Sequence, residues 1–327
     1  MEDWRLVKAT QTAVRDQIIP TPSAVKPRLS PIVSLGIGVA AVSTASLFVR
    51  MAQQSEVPSL AIAALRLTMA ALILFPLAWV RCRDELRRLS RRDLAIAFAC
   101  GAFLGLHFAT WISSLQFTSV ASSVMLVTVS PLFVALGSAL FLREKLTGLA
   151  LTGIAIAIAG GLLISLGDSG NSAGGTAPNP LLGNSLALCG ALSIAVYFLI
   201  GRRLRLRLSL LAYVSVVYGA AAAVLLTAAL VTQTPLTGFD PRAYAWIAAL
   251  ALIPQLIGHT SFNWALGHLP TTYATIPALG EPVGATLLAV LLLNESLTTL
   301  TVVGGILTLG GILLMSVKRS GAAREER

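Results

Sequence analysis

The sequence predicts an all-α integral membrane protein of ten transmembrane helices, arranged as two inverted five-helix repeats. Three observations lead there. The chain is 56% hydrophobic and only 12% charged, with a mean hydropathy of +0.81, more apolar sequence than the core of a soluble domain absorbs. Its apolar runs are about 20 residues long, the length that spans ~30 Å of hydrocarbon. Its second half repeats motifs of the first at a fixed offset.

Ten spans follow in order, at about 32–51, 59–80, 94–114, 119–141, 147–166, 183–201, 209–231, 243–265, 271–293 and 299–317. In lipid every backbone amide must be satisfied within the segment, and runs this long without alternation read as helices rather than barrel strands. Residues 1–31 are a mixed polar, proline-bearing tail with no apolar core of a signal peptide. Residues 32–166 and 183–317 hold five spans each, residues 167–182 form a Gly/Ser/Asn/Pro-rich external linker, and 318–327 form a basic tail.

Lys and Arg sort sharply by connection. One side takes the N-terminal tail (Arg5, Lys8, Arg15, Lys26, Arg28), the second connection (Arg81, Arg83, Arg87, Arg88, Arg91, Arg92), Arg143 and Lys145, Arg202 to Arg207, and the C-terminal tail. The other side takes only Arg50 and Arg242. The positive-inside rule therefore predicts cytoplasmic termini, a multi-pass inner-membrane location and an even number of spans. Basic residues confined to short connections also argue against a nucleic-acid partner, despite the net charge of +10.

Leu142-Arg143-Glu144-Lys145-Leu146-Thr147 recurs as Leu293-Asn294-Glu295-Ser296-Leu297-Thr298, an offset of 151. At that offset Pro131 meets Pro282, Gly153 meets Gly304 and Gly160 meets Gly311, and 13 of the 35 ungapped positions from 131 to 165 are identical, too many anchored matches for chance. Five spans per half is an odd number, so the second half enters the membrane in the opposite sense, the arrangement of inverted-repeat carriers.

These stretches resemble the drug/metabolite transporter superfamily, in particular its EamA-type ten-helix carriers. The resemblance lies in Ser130-Pro131-Leu132-Phe133-Val134-Ala135 with Phe141 to Leu146, in Glu281-Pro282-Val283-Gly284-Ala285 with Leu293 to Leu297, and in Arg66, which matches a basic residue of the family's second helix. It implies a ten-helix fold with both termini inside and transport of a metabolite, often efflux, without naming a substrate.

Ionisable groups inside spans are costly, which makes Arg66, His107, His259 and Glu281 the candidate solute-binding residues. Each has an alternative. Glu281, beside Pro282, binds a cationic group or a proton, or serves as a structural hydrogen-bond partner. His107 and His259 line a cavity, or simply join helices. Arg66 attracts a carboxylate, or snorkels to the interface. Trp111 and Asn263 share helices with the histidines and complete the candidate wall. Pro131 and Pro282 are read as helix bends. Glu144 and Glu295, each three residues before a threonine, are read as structural capping groups.

The pattern fits a secondary carrier of a small solute, an amino acid or related metabolite, working by alternating access with membrane lipid around it. A channel or a lipid flippase is the alternative, and a membrane enzyme is less favoured. The chain has no Walker loop, no H-E-x-x-H and no acidic cluster, so neither a cofactor nor a metal is expected.

Overall fold

The computed structural model describes residues 31–142, 147–170, 178–205, 207–265 and 279–317. Both terminal tails, Glu144, most of the linker and the first part of span nine lie outside the described residues. Span one is α1 (Pro31–Ser43) and α2 (Ala45–Gln54). They part at Thr44, whose hydroxyl bonds the Ala41 carbonyl at 2.7 Å and competes with the helical ladder. Span two is α3 (Ser59–Arg81), followed by the short α4 (Arg83–Arg87). Span three is α5 (Arg91–Phe117), opened by a capping box in which Ser90 and Asp93 satisfy each other's backbone amides.

Span four divides into α6 (Val120–Val127) and α7 (Ser130–Leu142), and span five is α8 (Gly148–Gly170). In the second half, span six is α9 (Pro180–Arg205) and span seven is α10 (Leu210–Val231), capped by Ser209. Span eight starts as α11 (Pro241–Leu250), continues as a π-helix over Ala251–His259 and ends in α12 (Thr260–Ala265). The described part of span nine is α13 (Gly280–Leu293), and span ten is α14 (Thr299–Val317). Among the described residues eight helices are long and apolar enough to cross a membrane, and Gly280–Leu293 and Thr299–Met315 are shorter apolar helices in the ninth and tenth positions.

The helix pairing carries the repeat. Spans two and seven, four and nine, and five and ten pack against one another, each helix against its own counterpart. Span three lies along span six, and exchanging the halves converts that contact into span eight along span one, which is also present. The sense of the repeat is visible where α8 crosses α14. A Cβ on Gly153 would lie 2.6 Å from the Gly311 carbonyl, and one on Gly160 would lie 2.5 Å from the Gly304 carbonyl. Low numbers on one helix meet high numbers on the other, so counterpart helices run antiparallel and the halves are inverted. Only glycine admits backbones this close, the small-residue contact of membrane helices.

Connections alternate between two faces. On one, Glu85 of the two–three connection receives hydrogen bonds from the amide (3.0 Å) and hydroxyl (2.6 Å) of Ser209 in the six–seven connection. On the opposite face, Asn179 donates to the Phe117 carbonyl at 3.3 Å, joining the linker to the end of span three.

Candidate functional site

Polar side chains converge in the middle of the bundle from spans two, three and eight. Arg66 projects from α3 and is fully buried. Its Nε donates to Gln255 Oε1 at 2.9 Å, and its guanidinium carbon lies 3.9 Å from the centroid of the Phe108 ring. Nη1 and Nη2 find no partner among the described residues. Arg66 is therefore held at its stem and at its face while the fork is left free. Burial this deep decides against the snorkelling alternative.

Gln255 sits in the π stretch of span eight. Pro254 removes one amide donor from that stretch, and the wider turn absorbs the gap. Gln255 and His259 both turn toward spans two and three. His259 meets Phe108 edge-on, with ring centroids 5.4 Å apart at 88°. His107, one position before Phe108, bonds through Nδ1 with the Gly190 carbonyl at 3.0 Å and stacks on Trp111 at 6.3 Å. His107 is thus spoken for as a tie between spans three and six. Trp111 is buried, and its Nε1 has no partner among the described residues, as is true of Gln255 Nε2.

Glu281 lies in the first turn of α13, within Coulombic reach of Arg66. Its backbone carbonyl accepts a hydrogen bond from Ser43 at 3.4 Å. Asn263 is hydrogen-bonded on three groups: Tyr197 donates to its Oδ1 at 3.2 Å, its Nδ2 donates to the Tyr218 hydroxyl at 3.5 Å, and Arg205 donates to its carbonyl at 3.3 Å. Pro131 and Pro282 each fall in the first turn of a helical segment, where a missing amide costs nothing. In span four the helix is interrupted at residues 128–129, in the turn that precedes Pro131, where the proline leaves the Val127 carbonyl without its i+4 amide donor.

Glu295 reaches the opposite face of the bundle. Its carboxylate accepts from the Val120 amide at 2.9 Å, capping α6, and pairs with Arg50 at 3.3 Å. Arg50 in turn donates to the Thr118 carbonyl at 2.8 Å. This brace ties the nine–ten connection to the ends of spans one and three and the start of span four. Burial pushes the Glu295 carboxyl above the usual carboxylate range, and Arg50 and the Val120 amide pull it back in part.

Sequence reasoning missed Gln255 and Phe108. Neither is ionisable, and the one available signal was a proline–glutamine pair inside an apolar run.

A family model described as the EamA-like transporter family matches residues 30–166 and 181–317. An uncharacterized transporter of Archaeoglobus fulgidus is 28% identical over 240 residues, 71% of this chain and 81% of that protein. A probable terminal-alkyne amino-acid exporter of Streptantibioticus cattleyicolor is 27% identical over 250 residues, 73% of this chain and 78% of that protein. The uncharacterized transporter YetK of Bacillus subtilis is 24% identical over 300 residues, 90% of this chain and 89% of its own. A solved crystal structure superposes with a TM-score of 0.61 at 22% identity, covering 91% of this chain and all of that one, a likeness of fold alone.

Proposed function

From the premise that the chain belongs to the EamA-like transporter family, a multi-pass membrane transporter and not an enzyme, we propose that it carries amino acids or closely related zwitterions by alternating access, in the export direction. The observation that carries this reading is the Arg66 fork. Arginine has five N–H donors, and among the described residues only the one on Nε finds a partner, in a site with no exposure. A buried ion costs several kcal/mol, and the Phe108 face returns about 2 kcal/mol. A planar carboxylate fits the fork with two parallel hydrogen bonds and adds to the counter-charge that Glu281 supplies within Coulombic reach.

Glu281 is the acidic side chain in reach of that arginine, so a solute with carboxylate and ammonium ends spans the two. Gln255 Nε2 and Trp111 Nε1 offer further donors, and His259 and Phe108 supply aromatic wall. The solute would bridge spans two and three of the first half and spans eight and nine of the second. Engagement of both halves is what a rocking mechanism requires.

The Arg50–Glu295 brace acts in this reading as the closure on the outer face, with inner-membrane location and cytoplasmic termini supported by the Lys/Arg asymmetry. Export and the amino-acid class draw further support from the Streptantibioticus relative, a probable terminal-alkyne amino-acid exporter.

The reading is tested by thermal unfolding of purified protein against a panel of zwitterions, amines and monocarboxylates, since a ligand of the folded state raises its stability. Zwitterions are expected to stabilise the wild type and not Arg66→Met. Equal stabilisation of wild type and folded Arg66→Met would remove the arginine from the site.

A further inference from the structure

Opposite the brace, at the junction of α3, α4 and the start of α5, lies a cavity of about 850 Å³. Val80, Leu89, Leu204 and Leu208 contribute its apolar lining, and Arg81, Arg83, Arg88 and Arg207 its basic lining. Nothing in the transport reading uses it. We propose that this elbow binds the phosphate headgroup of an anionic phospholipid, taken laterally from the leaflet that bathes the arginine-rich face.

The first support is depth. The lipid-facing stripe of α3 remains exposed through Leu72, Phe75, Trp79 and Val80, the last at 81%. The arginines begin at the very next residue. Trp79 is flanked by the guanidinium groups of Arg83 and Arg87, at 5.9 and 5.8 Å from its ring. An exposed tryptophan at the end of an apolar stripe marks the headgroup level, and its arginine partners therefore stand at phosphate depth.

The second support is the way charges are sorted. The elbow also contains carboxylates, but two are consumed inside the fold. Both oxygens of Glu85 accept from Ser209, and Asp93 accepts from Ser90 on one oxygen and from Arg207 at 3.0 Å on the other. Asp84 alone is left exposed on the rim, while Arg81, Arg83, Arg87, Arg88, Arg91 and Arg92 are all exposed. A topology signal needs only a count of basic residues, and a row of arginines on any surface would supply it. Here Arg81, Arg83 and Arg88 instead line an open cavity together with Val80, Leu89, Leu204 and Leu208, at the depth where acyl chain gives way to phosphate. Basic pockets between helices at this level are where anionic headgroups seat, and the guanidinium fork suits a phosphate diester.

The proposal is independent of the solute site, and its failure leaves the Arg66 reading untouched. It is tested by extracting the full-length protein from vesicles of equimolar phosphatidylglycerol and phosphatidylcholine and measuring retained lipid by native mass spectrometry. Wild type is expected to retain phosphatidylglycerol in preference to phosphatidylcholine by about tenfold, a difference of 1.4 kcal/mol. The variant Arg83→Gln/Arg87→Gln/Arg88→Gln is expected to lose that preference, and Arg242→Gln on the other face to keep it. If the triple variant does not fold, Arg88→Gln alone is expected to lower the preference several-fold. Equal retention of the two lipids by wild type, or an unchanged preference in a folded variant, overturns the proposal. So does full displacement of phosphatidylglycerol by millimolar inorganic phosphate, which would make this a site for free anions.

Discussion

Arg66 and Asn263 show how differently two buried polar residues can be used. Asn263 has partners on its Oδ1, Nδ2 and carbonyl groups, so Asn263→Ala is expected to cost about 1–3 kcal/mol of stability, read as a lower midpoint of thermal unfolding in detergent. The Arg66 fork has no hydrogen-bond partner among the described residues, so Arg66→Lys, which keeps charge but loses the bidentate geometry, is expected to weaken solute binding at least tenfold with little loss of folded yield. Glu281→Gln and His259→Ala are likewise expected to impair transport at wild-type yield, and wild-type transport rates in both purified variants would remove them from the site. The four ionisable residues were legible in sequence because a charge inside an apolar run stands out. Phe108 and Gln255 were not, since an aromatic or an amide in a membrane helix is ordinary until its neighbours are known. Asn263 was read as part of the solute wall, and its hydrogen bonds to Tyr197, Tyr218 and Arg205, which join spans six, seven and eight, were not legible because they depend on the fold.

At the scale of elements, glycine placement and the brace make separate predictions. A side chain at Gly304 would press on the Gly160 carbonyl, with a Cβ only 2.6 Å away, and backbone cannot yield as a flexible side chain does. Gly304→Leu is expected to destabilise the protein by about 2 kcal/mol or more, seen as lost folded yield and a lower unfolding midpoint. The brace has a pH dependence. Burial outweighs Arg50 in setting the Glu295 carboxyl, so the braced state holds that proton more tightly than a state in which the carboxyl is exposed. Between the ordinary carboxylate range and the raised value the braced state binds more protons, so lowering the pH through that window favours closure. Alkylation of Ser46→Cys, one turn below Arg50 and buried, is expected to slow as pH falls more steeply than alkylation of a freely exposed thiol under the same conditions, and Glu295→Gln is expected to remove that excess. The capping role of Glu295 was foreseen from its place in the motif. Its ionic partner was not, because Arg50 lies 245 residues away and only the fold brings them together.

For the whole molecule, most of the architecture was readable from the chain. Hydropathy gave ten spans, and the offset of 151 gave the repeat, since bilayer thickness and backbone satisfaction leave few alternatives. What did not show was where spans break. Spans one, four and eight are interrupted at Thr44, at residues 128–129 and over Ala251–His259, by local hydrogen-bond competition and a π stretch that leave the hydropathy profile smooth. Those interruptions matter to function, because the segment that supplies Gln255 and His259 is one of them. The claim on which the rest depends is that Arg66 holds the carboxylate of a solute passed across the bilayer. Counterflow of a labelled zwitterion that stabilises the protein, measured in proteoliposomes with wild type and with Arg66→Met, tests it most directly. Saturable exchange by wild type and its loss in a folded, monodisperse Arg66→Met is the predicted result; equal exchange by both proteins would contradict it.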